Sequence, residues 1–167
     1  DDPVEVRMVL NQSLASSGTA GSIALGAVTL SDTGNLPPEP DEPEIVDNDF
    51  NIRFTNTLPD AINLTQEGGK DWILFNSVDG KPAYERKNVE PSIQDFTIFD
   101  TEKAPHRVNN SEYNTVYSFT DGTPTPSMEN QKPYLVVEDV NNGVSFTLPG
   151  GDNRHEAKIT IGNWNAD

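Results

Sequence analysis

Apolar and polar residues alternate with a period of two along much of the chain. The alternation is clearest over residues 4–10 (VEVRMVL) and 50–55 (FNIRFT). Successive side chains of a β-strand point to opposite faces, so this pattern predicts strands that are buried on one face. Further strands are predicted at residues 23–30, 72–78, 96–99, 115–119, 134–137, 144–148 and 157–162.

The same pattern argues against helices. No window of about a dozen residues keeps the apolar stripe of an amphipathic helix. Clusters of Gly, Pro, Asn and Asp separate the predicted strands and are typical of turns. Many short strands joined by turns predict an all-β fold, a β-sandwich or jelly roll in which two sheets bury their inner faces against each other.

One stretch, residues 32–49, interrupts the alternation and contains LPPEPDEPE. It has few apolar side chains to bury and its charges repel one another, so it predicts an extended acidic linker. Residues 1–31 would then form a β-hairpin, which is marginal in water without further strands. The hairpin either docks on the sandwich predicted for residues 50–167, or is donated to another domain or subunit. Both ends of the chain look cut, which predicts that it is part of a longer protein.

The charge of the chain narrows the classes of partner. The formal net charge is −16, from 27 acidic and 11 basic residues, and such a surface repels nucleic acid and anionic lipid. No apolar run approaches the roughly 20 residues that a membrane span needs, so no membrane insertion is predicted. The absence of cysteine excludes disulfides, thiol catalysis and zinc–thiolate sites. Cations, neutral sugars and other proteins are left as partners.

Some of the acidic residues have the chemistry of calcium ligands. Calcium takes six to eight oxygen ligands, which Asp, Asn and main-chain carbonyls supply from loops. The candidates for a structural calcium ion are Asp47, Asp49, Asp139 and Asp152. The alternative is a solvated negative surface of the kind found on salt-adapted secreted proteins, and the sequence leaves both explanations open.

No motif for catalysis is present. A serine hydrolase needs a nucleophile on a sharp turn, and there is no Gly-x-Ser-x-Gly or similar elbow. Carboxylates are abundant, but abundance does not identify a pair placed for glycoside hydrolysis. Asp121, in the sequence TDGTP, is predicted to form a turn and cap main-chain amides. The sequence therefore predicts a chain that is not an enzyme.

Exposed aromatic residues are the candidates for sugar recognition, because an aromatic face stacks on a pyranose ring while nearby polar groups bind its hydroxyls. Tyr84 and Tyr113 lie in polar, loop-like sequence, with Arg86 and Asn114 close by. Trp72 is a further candidate, although its alternating strand favours a place in the core. These five residues form the predicted ligand-binding set.

Several motifs resemble a known module. They are KDWI at 70–73, IQDF at 93–96, YSFTDGTPT at 117–125, GVSFTLP at 143–149 and IGNWNA at 161–166. Residues 70–166 resemble a β-sandwich module that recurs in large secreted bacterial carbohydrate-active and cell-surface proteins. In those relatives a second Trp stands where this chain has Phe75, and a further half sandwich follows the last motif.

Residues 1–31 resemble the closing strands of a carbohydrate-binding jelly roll, with Gly26 in place of the usual acidic residue. Together the two resemblances imply a non-catalytic carbohydrate-binding or accessory module of an extracellular, multidomain bacterial protein, with a polysaccharide or glycan as its partner. The alternative is a structural subunit of an extracellular filament, adhesin or surface layer, which would assemble with other copies by strand exchange through the predicted hairpin.

Overall fold

A computed structural model of the chain describes residues 2–9, 22–32, 57, 59–78, 81–99, 106–108, 115–138, 142–150 and 155–164. These residues form mostly antiparallel β-sheets with one short helix, so the predicted all-β, sandwich-like fold is confirmed. The strands are β1 (Val4–Val9), β2 (Ser22–Asp32), β3 (Ala61–Asn63), β4 (Asp71–Val78), β5 (Lys81–Lys87), β6 (Gln94–Phe99), β7 (His106–Val108), β8 (Val116–Phe119), β9 (Gly122–Thr123), β10 (Met128–Gln131), β11 (Tyr134–Glu138), β12 (Gly143–Leu148) and β13 (His155–Trp164), and the helix is α1 (Leu64–Glu67).

The strands form three sheets. The central sheet has the order β7-β11-β2-β4-β5-β9, with β13 also paired to β2. One outer sheet has the order β1-β12-β6, and the other has the order β10-β8-β3. Apolar side chains of each outer sheet lie in a common core with side chains of the central sheet, so the central sheet is buried on both faces.

Two apolar clusters separate the layers. The first core, between the central sheet and β1-β12-β6, is built around Leu25, Val28, Leu30, Ile73, Phe75, Ile93, Leu135, Val137, Val144, Phe146 and Leu148. The second core, between the central sheet and β10-β8-β3, is built around Ala24, Ala27, Leu64, Trp72, Leu74, Tyr117, Phe119, Tyr134 and Val136. Burial of this apolar surface is the main force that holds the layers together.

Strand β2 is the centre of the fold. It pairs with β13 along one edge, while its other edge is shared between β11, at residues 22–25, and β4, at residues 27–30. The register with β13 shifts between Ile159 and Ile161, where Gly26 and Ala27 of β2 together lie opposite Thr160, which marks a β-bulge in β2. Because the bulge adds one residue, Leu25 and Val28 share the first core although their numbers differ in parity.

A glycine is required at this division of the sheet. A Cβ atom at Gly26 would overlap the hydroxyl oxygen of Tyr117 and would lie 2.9 Å from Cε1 of Tyr134. The two tyrosines are buried in the second core, and the Tyr117 hydroxyl donates to the Tyr134 hydroxyl at 3.3 Å. Burial raises the pKa of Tyr117 and of Tyr134, so both hydroxyls stay protonated.

The two strands of residues 1–31 do not form the hairpin that the sequence predicts. β1 pairs with β12 in an outer sheet, whereas β2 lies in the central sheet, so each strand docks on strands from the rest of the chain. The physical reason is that residues 24–30 are buried on both faces, which requires a central strand. Asp32 belongs to β2, and the rest of the predicted linker, like the strand predicted at 50–55, lies outside the described residues.

The short helix α1 begins where the parallel pairing of β3 with β8 ends. Asn63 caps it, because its side-chain Oδ1 accepts a hydrogen bond from the main-chain N–H of Gln66 at 3.3 Å. Within the described part of the chain there is no helix that is long and apolar enough to cross a membrane.

Candidate functional site

Asp71, at the start of β4, is a completely buried carboxylate. Its Oδ1 accepts a hydrogen bond from the N–H of Trp72 at 2.8 Å, and its Oδ2 accepts from the N–H groups of Ser92 and Ile93 at 2.8 and 2.9 Å. Such hydrogen bonds are what a buried charge needs. The carboxylate therefore ties β4 to the segment that leads into β6.

Arg86 completes this cluster rather than facing a ligand. Its Nη2 lies 3.3 Å from Oδ2 of Asp71 and also donates to the main-chain oxygen of Ile93 at 3.2 Å. The side chain is 18% exposed, and it reaches inwards because Arg86 lies opposite Ile73 on the face of the first core. The predicted ligand residue Arg86 therefore forms an ion pair with Asp71 inside the fold.

Trp72 lies in the second core and is completely buried. Its ring packs against Phe119 with the ring centroids 4.6 Å apart, and its Nε1–H donates to Oδ1 of Asp121 at 3.1 Å. No face of the indole is left exposed for a sugar to stack on. Trp72, although it was included in the ligand-binding set, is a core residue here.

The carboxylate of Asp121 contacts three side chains. Besides Trp72, the Thr65 hydroxyl donates to Oδ1 at 2.7 Å, and Lys87 Nζ lies 3.3 Å from Oδ2. Burial alone would raise the pKa of Asp121, but the hydrogen bonds from Thr65 and Trp72 and the charge of Lys87 outweigh it, so the pKa lies below its ordinary value of 3.8. The hydrogen bonds that its carboxylate accepts come from side chains and not from the main-chain amides that the sequence predicts.

Tyr84 is the predicted ligand residue that the structure leaves open to solvent. It lies in strand β5 rather than in a loop, and it is 43% exposed. Its ring meets the edge of Phe96 at a centroid distance of 6.2 Å, and Phe96 in turn packs on Phe75 at 4.5 Å. We call Tyr84 and Phe96 the aromatic rim, because they lie where the first core meets solvent.

The strand that carries Tyr84 is held on both sides. Phe75 of β4 is its direct cross-strand partner. The neighbouring Glu85 carboxylate accepts hydrogen bonds from the N–H and the hydroxyl of Thr125, at 2.9 and 2.8 Å. With these contacts the ring of Tyr84 is presented from a braced strand, which lowers the entropy lost when a ligand binds.

A shallow depression lies at the start of β6. Its volume is about 220 Å³, below the roughly 300 Å³ of a small-molecule pocket, so it fits one small group rather than a whole ligand. It is lined by Pro3, Pro91, Ser92, Gln94, Thr147, Leu148 and Pro149. Strand β6 therefore contributes Gln94 to the depression and Phe96 to the aromatic rim.

Asp95 separates these two residues and changes the direction of β6. Its φ of 53° is in the left-handed region, and the pairing of β6 with β12 shifts register at this point. Its side-chain Oδ2 accepts a hydrogen bond from the Thr147 hydroxyl at 3.0 Å. The bulge lets Phe96 face the first core while Gln94 stays exposed.

The remaining predicted site residues lie outside the described part of the chain. These are Tyr113 and Asn114 of the ligand-binding set, and the calcium candidates Asp47, Asp49, Asp139 and Asp152. Within the described ranges there is no group of three or more His, Asp or Glu side chains that could hold a metal ion.

Two residues of the candidate site were not predicted from the sequence. Phe96 and Gln94 occur in the motif IQDF, but the role of each depends on the bulge at Asp95, which leaves no mark on the alternation. The side chain of His155 is 12% exposed, and its Nδ1 lies 2.7 Å from Oδ1 of Asp32.

No family model, curated protein or solved structure matches the chain. The resemblance to secreted bacterial sandwich modules therefore stays a prediction from the sequence motifs.

Proposed function

We propose that this chain is a non-catalytic carbohydrate-binding module of a secreted or cell-surface bacterial protein, and that it binds a neutral glycan at the aromatic rim. The observation that carries the proposal is the exposure of Tyr84 on a braced strand, with Phe96 and Phe75 packed behind it. An aromatic ring that is held in place and open to solvent suits stacking on the apolar face of a pyranose.

Polar groups for sugar hydroxyls lie at the start of β6, the strand that also carries Phe96. Gln94 and Ser92 line the depression at the start of β6, together with Thr147. The Gln94 amide donates one N–H to the main-chain oxygen of Pro91 and offers its second N–H and its oxygen, whereas the Thr147 hydroxyl donates to Asp95 and offers an acceptor. These uncharged groups match the hydroxyls of a neutral sugar.

Charge favours a neutral glycan over the other polymers of a bacterial environment. At a net charge of −16, the chain repels nucleic acid and acidic polysaccharides. Extracellular localisation belongs to the same proposal and is supported only by the sequence motifs.

The buried carboxylates support a role without catalysis. Asp71 is completely buried and accepts three main-chain hydrogen bonds, so no substrate atom reaches it. Asp121 holds Trp72, Thr65 and Lys87 together. Asp71 and Asp121, which is partly exposed, both stabilise the fold.

Affinity electrophoresis through gels that contain neutral plant, algal or bacterial polysaccharides tests the proposal. The chain should be retarded by at least one of them, and isothermal titration with the matching oligosaccharide should then give its Kd. Tyr84→Ala should weaken binding by about tenfold, since an aromatic contact contributes about 0.5–1.5 kcal/mol.

Val89→Ala is the matched control, because Val89 is 44% exposed and belongs to the connection between β5 and β6. Its Kd should equal that of the wild type. The proposal is wrong if no neutral polysaccharide retards the chain, or if Tyr84→Ala binds as tightly as Val89→Ala.

A further inference from the structure

Strand β1 is an edge strand that is held along one side. Its six residues pair with β12 in an antiparallel ladder from Val4 opposite Leu148 to Val9 opposite Gly143. Within the described residues, no other strand pairs with β1. Along the sequence, residues 10–21 connect β1 to β2.

Little of β1 is buried. Val6 and Met8 are half-buried and pack against the first core, whereas Val4, Glu5 and Arg7 are exposed. By contrast, every residue of β2 from 24 to 30 is buried. Because the cost of removing a strand grows with the apolar surface that it exposes, β1 leaves the fold far more easily than β2.

The edge of β12 that β1 occupies can pair only with a strand of a particular sequence pattern. The edge of β12 offers main-chain hydrogen bonds, and its buried side chains Val144, Phe146 and Leu148 lie beside Val6 and Met8 on the face of the first core. A strand fits only if it runs antiparallel and places apolar residues at every second position. A second copy of the chain carries that sequence.

We propose that β1 is exchanged between copies of this chain, so that β1 of one molecule pairs with β12 of another in the same register. This inference does not depend on glycan binding. It differs from exchange of a hairpin of residues 1–31, because removal of β2 would open both cores. Exchange of an identical element requires no new interface chemistry, since the same contacts form between molecules.

Engineered cysteines test the exchange directly, because the natural chain contains none. Arg7 and Ser145 face each other across the β1–β12 ladder. Cross-strand Cα atoms are about 4.5–5.5 Å apart, which suits a disulfide. Chains carrying only Arg7→Cys are mixed with isotopically labelled chains carrying only Ser145→Cys, incubated at high concentration in mild urea, diluted and then oxidised.

Mass spectrometry should find a disulfide-linked dimer of one labelled and one unlabelled chain, and its yield should rise with protein concentration. The matched control replaces Ser145→Cys with Glu156→Cys, an exposed position on β13. The control mixture should give at least tenfold less of the mixed dimer.

The double variant Arg7→Cys/Ser145→Cys provides the second measurement. Oxidised at low concentration, it should form the disulfide within one molecule and then stay monomeric in light scattering at every concentration, because its β1 is locked. The proposal is overturned if the two mixtures give equal yields of mixed dimer, or if the locked variant associates as readily as its reduced form.

Discussion

Asp71 and Arg86 form an ion pair across β4 and β5 in which the carboxylate is completely buried, with 3.3 Å between Oδ2 and Nη2. The pair joins the start of the central sheet to the segment that carries Ser92 and Ile93. Arg86 belongs to β5, the strand that also carries Tyr84. The pair therefore connects the buried start of β4 to the strand that presents the aromatic rim.

Replacing Asp71 by Asn should destabilise the chain by about 3–5 kcal/mol, because Arg86 is then left mostly buried without a counter-charge and one main-chain donor meets an NH₂ group. Urea unfolding followed by tryptophan fluorescence measures the free energy. Ser92→Ala is the control, since it keeps the main-chain N–H and should change the stability by less than about 0.5 kcal/mol. A loss below about 1 kcal/mol for Asp71→Asn would contradict this account of the pair.

Gly26→Ala should cost about 1–3 kcal/mol, because the new methyl group overlaps the Tyr117 hydroxyl. Tyr117→Phe removes the overlapping oxygen. The double variant should therefore be more stable than the sum of the two single changes indicates, with a coupling of about 1 kcal/mol in a double-mutant cycle. Additive effects would mean that the hydroxyl is not what restricts this position.

Acid should remove the contribution of Asp121 to the free energy of unfolding. Its folded-state pKa lies below the ordinary 3.8, so the unfolded chain takes up a proton more readily as the pH falls. The stabilisation is fully present above the pKa of the unfolded chain and is lost as the pH falls through the folded-state pKa. The difference in urea midpoint between wild type and Asp121→Asn should be largest at neutral pH and should shrink below about pH 4. A difference that stays constant from pH 7 to pH 3 would contradict this.

Salt should stabilise the chain as a whole. Repulsion within a net charge of −16 is screened as ionic strength rises, so the Tm should be higher in 0.5 M than in about 0.01 M sodium chloride. Calcium and magnesium chloride at equal ionic strength separate screening from specific binding. If the calcium candidates Asp47, Asp49, Asp139 or Asp152 hold the ion, calcium should raise the Tm further than magnesium does, whereas a solvated negative surface predicts equal Tm values.

The sequence predicted the strands whose alternation is strong. β1, β2, β4, β6, β8, β11, β12 and β13 all fall on predicted segments. The sequence did not predict β5, because its sequence KPAYERK is mostly polar and has a proline at its second position. Arg86 turns inwards because Asp71 gives it a partner inside the fold, and no periodicity within β5 reveals that partner.

The candidate site was less predictable than the fold. Tyr84 was recognised because an aromatic residue among polar neighbours is conspicuous in a sequence. Trp72 donates a hydrogen bond to Asp121, and Arg86 donates one to Asp71. The spacing of these residues along the chain does not reveal that each pair lies within hydrogen-bonding distance. Strand β2 is covered on both faces, so its side chains must be apolar on both faces. The sequence predicts β2 as a strand, but it does not reveal the bulge that determines which side chains enter which core.

The pairing of β2 with β13 determines when this protein can reach its native state. The two strands are far apart in the sequence, yet they share a ladder from Asp32 to Ser22. Nearly all of the described chain must leave the ribosome before β2 obtains this neighbour, and until then the main-chain hydrogen-bonding groups along that edge of β2 lack their strand partner. Folding that depends on such remote contacts takes milliseconds to seconds.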